Sequence, residues 1–127
     1  MRSLLRVGAL LACVFAFVSC GSPPQAELDA AQAALDSAKS AGAEAYAAEA
    51  YNRAKNTLAD AGAKSEQGEY EEAKTAAIQA KDQADQAKSL AESTKARVRD
   101  ETQAIVNRVS NAIGDARAAV DGAPKGK

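Results

Sequence analysis

Two thiols, Cys13 and Cys20, are the side chains best suited to covalent chemistry in this 127-residue chain. Cys13 sits inside an apolar run, and Cys20 stands at the end of that run. A thiolate is the nucleophile that accepts an alkyl group, so Cys20 is the residue placed for modification. The chain has no histidine and no tryptophan, which removes the base that most often activates a serine or cysteine nucleophile. Glu71 and Glu72 are adjacent in sequence and do not face each other on a helix. There is no Gly-rich phosphate loop and no cluster with metal-ligand spacing. No enzyme activity, cofactor or metal is expected. The other chemical pattern is a row of lysines, Lys74, Lys81, Lys88 and Lys95, recurring every seven residues. This is either a solvated face with i,i+4 partners at Asp85 and Glu92, or a cationic face that touches anionic lipid or a cell-wall polymer such as peptidoglycan.

Charge and composition narrow the classes further. The net charge of −1 includes Arg2 and Arg6; from Cys20 onward 14 basic residues face 17 acidic ones, giving −3. A nucleic-acid binder should carry a clustered basic excess, so none is expected. Alanine supplies 33 residues. Large aliphatic groups after Cys20 are few: Leu28, Leu35, Leu58, Ile78, Leu90, Val98, Ile105, Val106, Val109, Ile113 and Val120. Alanine favours helix above all other residues, and such a chain builds long helices with small-residue seams. A core this thin favours a protein partner or self-association.

The element that would position Cys20 is an export segment over residues 1–19. Met1 to Arg6 carries two arginines and no acid. Val7 to Val18 is an unbroken run of apolar residues or glycine, and Ser19 is small. That is the layout of a secretory signal, and the run is shorter than the ~20 apolar residues a membrane span needs. Phe17-Val18-Ser19-Cys20 resembles the lipobox of bacterial lipoproteins, in which the cysteine is diacylglycerylated and becomes the new N-terminus. That family prefers leucine where this chain has Phe17. The resemblance implies a lipid-anchored protein of the bacterial cell envelope. Gly21 stands where enteric inner-membrane lipoproteins carry aspartate, which implies an outer-membrane address facing the periplasm.

Beyond the anchor the reading is all-α. Residues 20–24 are the modified cysteine and a Pro-Pro tether, residues 25–121 an alanine-rich helical domain, and residues 122–127 a disordered basic tail. Apolar spacing predicts a first helix over about Gln25–Ala41 closed by Gly42, and a second over about Glu44–Gln67 closed by Gly68. Gly62 marks either a weak point in the second helix or a close backbone approach. A third helix starts near Glu69, with Tyr70, Ala73, Ala77, Ala80, Ala84, Ala87, Ala91, Thr94 and Val98 at 3–4 spacing. The seven-residue repeat predicts coiled-coil-like packing. With no breaker before Gly114, this helix is expected to span some 45 residues, or roughly 70 Å. The stretch Val98, Thr102, Ile105, Val109, Ala112 and Ala116 either projects beyond the shorter helices and finds a partner, or breaks near Ser93-Thr94 and folds back as a fourth helix. Projection is favoured, because Lys95-Ala96-Arg97-Val98-Arg99 contains no turn chemistry. The architecture is thus a helical hairpin or three-helix antiparallel bundle with one long C-terminal helix.

Gly68-Glu69-Tyr70-Glu71-Glu72-Ala73 with Ala77 and Ala80 partly resembles the second helix of a tetratricopeptide repeat. No second copy follows at that family's period, so the match is to a tight helical hairpin. Tyr46-Ala47-Ala48-Glu49 with Ala54, Leu58, Ala61, Gly68, Tyr70 and Ala73 resembles a family of small envelope lipoproteins with an alanine-rich helical domain of unknown function. Its members often have proline where this chain has Ala48. Some join the domain to a peptidoglycan-binding domain; the likeness here covers about residues 23–95, the helical part. It implies a helical hairpin or bundle facing the periplasm and no reaction.

Overall fold

The computed structural model describes residues 21–123. The export-type segment 1–19, Cys20 and residues 124–127 of the tail lie outside the described residues. Within the described residues four helices follow in order: α1 (Gln25–Ser40), α2 (Ala43–Tyr46), α3 (Ala48–Glu66) and α4 (Tyr70–Asp121). The all-α expectation and the long C-terminal helix hold.

Glycine closes both main turns. Gly42 takes φ 93° after α1 and donates its N–H to the Lys39 carbonyl at 2.9 Å. Gly68 takes φ 81° after α3. There the Glu69 N–H reaches the Lys64 carbonyl at 3.0 Å and the Gly68 N–H the Ser65 carbonyl at 3.1 Å. These two bonds are the Schellman pair, which satisfies carbonyls left over at a helix end. A residue with a Cβ meets a steric penalty at such a φ, so the turns are written by glycine alone.

α4 supplies one face for everything else. α1 runs parallel to it: Glu27 meets Lys74 near one end, and Ala41 lies beside Glu92 and Val98 near the other. α3 runs antiparallel, with Ala61 packed with Ala76 and Ala77, and Ala47, Tyr51 and Ala54 clustered with Ala84, Ala87 and Ala91. Thr57 donates to Gln83 Oε1 at 2.9 Å across the same seam. Among the described residues, the buried apolar side chains are alanines except for Pro24, Leu35 and Tyr51. Each alanine buries a single methyl, worth ~0.8 kcal/mol on the scale of one buried CH₂. Close backbone approach and helix propensity therefore carry the fold, with little help from large side chains.

Two boundaries differ from expectation. The segment expected as one helix from Glu44 is broken at Ala47, whose φ of −147° and ψ of 40° are not helical. The single turn α2 closes the end of the hairpin: the Tyr46 ring lies against Gly42 and faces α4 across a groove with Lys95, Val98 and Arg99. Ala48 becomes the first residue of α3, the position where proline is best tolerated.

The second difference is Gly114. It does not end α4, which runs 52 residues to Asp121, roughly 78 Å at 1.5 Å per residue. A helical glycine costs only ~1 kcal/mol relative to alanine, and no turn residue follows it before Gly122. α4 also passes Ser93 and Thr94 unbroken, so residues 96–121 project.

Glycine substitutions should separate the turn from the helix interior. Gly68→Ala should lower stability by about 1–2 kcal/mol, the cost of a Cβ in the left-handed region. Gly62 lies inside α3, and a Cβ added there would have no neighbour within 4 Å, so it is a weak point and no close approach. Gly62→Ala should raise stability by ~0.8–1.0 kcal/mol, read with Gly68→Ala in the same urea titration. Ala84, fully buried on the seam, should tolerate no growth. Ala84→Leu should destabilise by about 1–3 kcal/mol through overpacking, seen as a lower thermal midpoint.

Candidate interaction face

Residues Gly21 to Pro24 lie beside the starts of α1 and α4. Pro24 is buried at the foot of α1, and a Cβ on Gly21 would lie 3.3 Å from Tyr70 Cδ2. Gly21 therefore lies at the N-terminal end of α4. Cys20 itself lies outside the described residues.

The four lysines are not brought together. Lys74 pairs with Glu27 of α1 at 3.2 Å, and Lys81 pairs with Asp85 on its own helix at 2.8 Å. Lys88 and Lys95 make no ion pair among the described residues, so the expected Lys88–Glu92 partnership is absent there. From Lys74 to Lys95 the row extends roughly 31 Å along α4 and rotates by about 20° per heptad. Glu27 is held below the usual carboxylate range first by the hydrogen bond from its own backbone and then by Lys74. Asp85 raises Lys81 above the usual lysine range, chiefly by accepting its hydrogen bond. The Lys81–Asp85 pair is exposed and the Glu27–Lys74 pair partly so, and solvent-accessible contacts of this kind contribute little.

The more pronounced feature is apolar. On the projecting part of α4, Val98, Ile105, Val106, Val109, Ile113 and Val120 are exposed, from 40% for Val98 to 74% for Val120. Val106, Ile113 and Val120 widen the stripe read from the sequence. They recur every seven residues, one position beyond Ile105, Ala112 and Ala119, and that spacing is the signal that locates them. With Thr102, Val109 and Ala116 they make three apolar positions per heptad, the width of a helix face that packs on a bundle.

This stripe continues the buried seam. The 3–4 alternation from Ala73 to Thr94 is followed by two consecutive fours, Thr94 to Val98 to Thr102, before 3–4 spacing resumes. That is a stutter, which resets the drift of a seven-residue repeat on a 3.6-residue helix. Val98–Val120 consequently lie on the face that Ala73–Ala91 bury. α1 and α3 cover the first part, and nothing among the described residues covers the second.

The grooves are open. One of about 510 Å³ lies between Ala41, Tyr46 and the Glu92–Arg99 stretch of α4, and another of about 270 Å³ lies between Leu35, Tyr51 and Leu58. No described helix is long and apolar enough to cross a membrane.

Compared with known proteins, the chain matches no curated protein and no solved structure. One family model, a domain of unknown function (DUF4398), matches residues 26–104. The match takes in α1, α2, α3 and the seam half of α4, and it ends where the exposed stripe begins to widen at Ile105. The chain belongs to the DUF4398 family.

Proposed function

We propose that this protein is an envelope lipoprotein, lipidated on Cys20 and facing the periplasm, which catalyses no reaction and acts by presenting α4 as a protein-interaction element. The observation that carries this reading is the apolar stripe from Val98 to Val120. It is too regular for a solvated surface and lies on the face that packs elsewhere in the same helix. The residues that support the anchor are the arginines at Arg2 and Arg6, the apolar run Val7–Val18 and the small residue Ser19 before Cys20. Two or three acyl chains hold firmly, because each buried CH₂ contributes about 0.8 kcal/mol. The tether is four residues long, Gly21 to Pro24, so the lipid holds the N-terminal end of α4 close to the membrane surface. The outer membrane is the address favoured by Gly21. The lysine face is the weaker basis for a function, because Lys74 and Lys81 already pair with Glu27 and Asp85.

Mass spectrometry of the protein purified from a bacterial membrane fraction tests the anchor. The expected N-terminus is a diacylated or triacylated Cys20, and Cys20→Ser should abolish both the lipid and membrane retention. An unmodified N-terminus at another residue would overturn the anchor. A second experiment addresses the lysine face: pull-down on purified peptidoglycan should give no retention that changes when Lys88 and Lys95 are replaced by glutamate.

A further inference from the structure

We infer that the exposed stripe of α4 is covered by the same stripe of a second copy, paired antiparallel. This deepens the reading of α4 as an interaction element and does not depend on the lipid anchor.

Three observations point to that occupant. The first is continuity: the stripe extends a seam that already packs helices within the chain, on the same face of the same helix. The second is size. In an antiparallel pair centred between Ser110 and Asn111, Thr102 meets Ala119 of the second copy, Ile105 meets Ala116, and Val109 meets Ala112. Every layer then sets a larger side chain against an alanine, the alternation that lets facing positions interdigitate. Val106 meets Ile113 along one flank. A parallel pair would stack Ile105 on Ile105 and then alanine on alanine at Ala112, Ala116 and Ala119, which leaves uneven layers.

The third observation is charge. On the other flank Arg108 and Asp115 make no ion pair among the described residues, although Arg97 and Arg99 nearby pair with Glu101 and Asp100. The antiparallel register sets Arg108 opposite Asp115 of the second copy, and its symmetry makes the contact twice. In the parallel register the same two charges face Ile113 and Val120. Flanking charges of this kind set partner choice and orientation in paired helices.

Tyr70 lies about 40 residues from the centre of the pair, so the two tethers sit roughly 120 Å apart, at opposite ends of the paired helices. Two copies anchored in one bilayer therefore lie along it.

The segment 21–127 contains no cysteine and holds every described contact, so it serves as the test protein. Sedimentation equilibrium should show a reversible dimer. Val109→Asp, on an exposed position, should raise the dissociation constant at least ~10-fold, with the helicity of the hairpin unchanged by circular dichroism. Arg108→Asp and Asp115→Arg should each weaken the dimer, and the two together should restore it. When Val109→Cys and Ala112→Cys copies are mixed under oxidation, the bridge should form between the two variants in preference to Val109→Cys with itself. A monomer at all concentrations would overturn the pairing, and so would a dimer indifferent to Val109→Asp or a bridge formed only between like variants. A monomer that instead floats with vesicles of phosphatidylethanolamine and phosphatidylglycerol would overturn it in favour of a lipid surface. None of these outcomes touches the mass of the mature N-terminus, so failure of the pairing is distinguishable from failure of the anchor.

Discussion

The meeting of alanine methyls along one face of α4 is the contact on which the rest of the structure depends. Ala73, Ala77, Ala80, Ala84, Ala87 and Ala91 are fully buried, and their size lets both α1 and α3 lie close to a single helix. Larger residues at those positions would push the helices apart and lose contacts on every side. The arrangement has a cost in burial, since an alanine removes little apolar surface from water. It also explains why the grooves are open: helices at such close approach leave little room for an enclosed chamber between them.

The same constraint divides α4 into two halves. Where alanine occupies the seam, the partner is within the chain and its backbone is near. Past Thr94 the seam positions change to Val98, Ile105 and Val109, with Val106 and Ile113 beside them, and the helices of the hairpin have ended. Side chains of that size suit a partner helix at ordinary spacing. The ion pairs are peripheral to both halves. The contribution of Glu27 has the sign of a lowered carboxyl: it is present at neutral pH and fades as pH falls below the ordinary carboxylate range through the lowered pKa. That of Lys81 has the opposite sign, present at neutral pH and lost as pH rises through the raised lysine pKa.

Most of the architecture is legible in the sequence because alanine spacing and glycine placement are local signals. Gly42 and Gly68 mark the turns, since a left-handed φ admits few other residues. The seam is legible because seven-residue spacing puts Ala77, Ala84 and Ala91 on one line. The break at Ala47 is not, because an alanine there fits a helix as well as it fits the irregular conformation. Gly114 misleads in the opposite direction: glycine permits a turn without requiring one. For the lysines, sequence locates the row, but only the structure shows that Lys74 reaches across to Glu27. The chemistry at Cys20 rests on the sequence alone.

Amide hydrogen exchange along α4, followed across a dilution series of the segment 21–127, tests the division of the helix most directly. Amides from Ala73 to Ala91 should be protected to the same degree at every concentration, because their partner is in the same chain. Those from Ile105 to Val120 should gain protection as concentration rises, because their partner is a second molecule. Protection of both halves that is independent of concentration would contradict the account, as would a distal half that exchanges freely at every concentration.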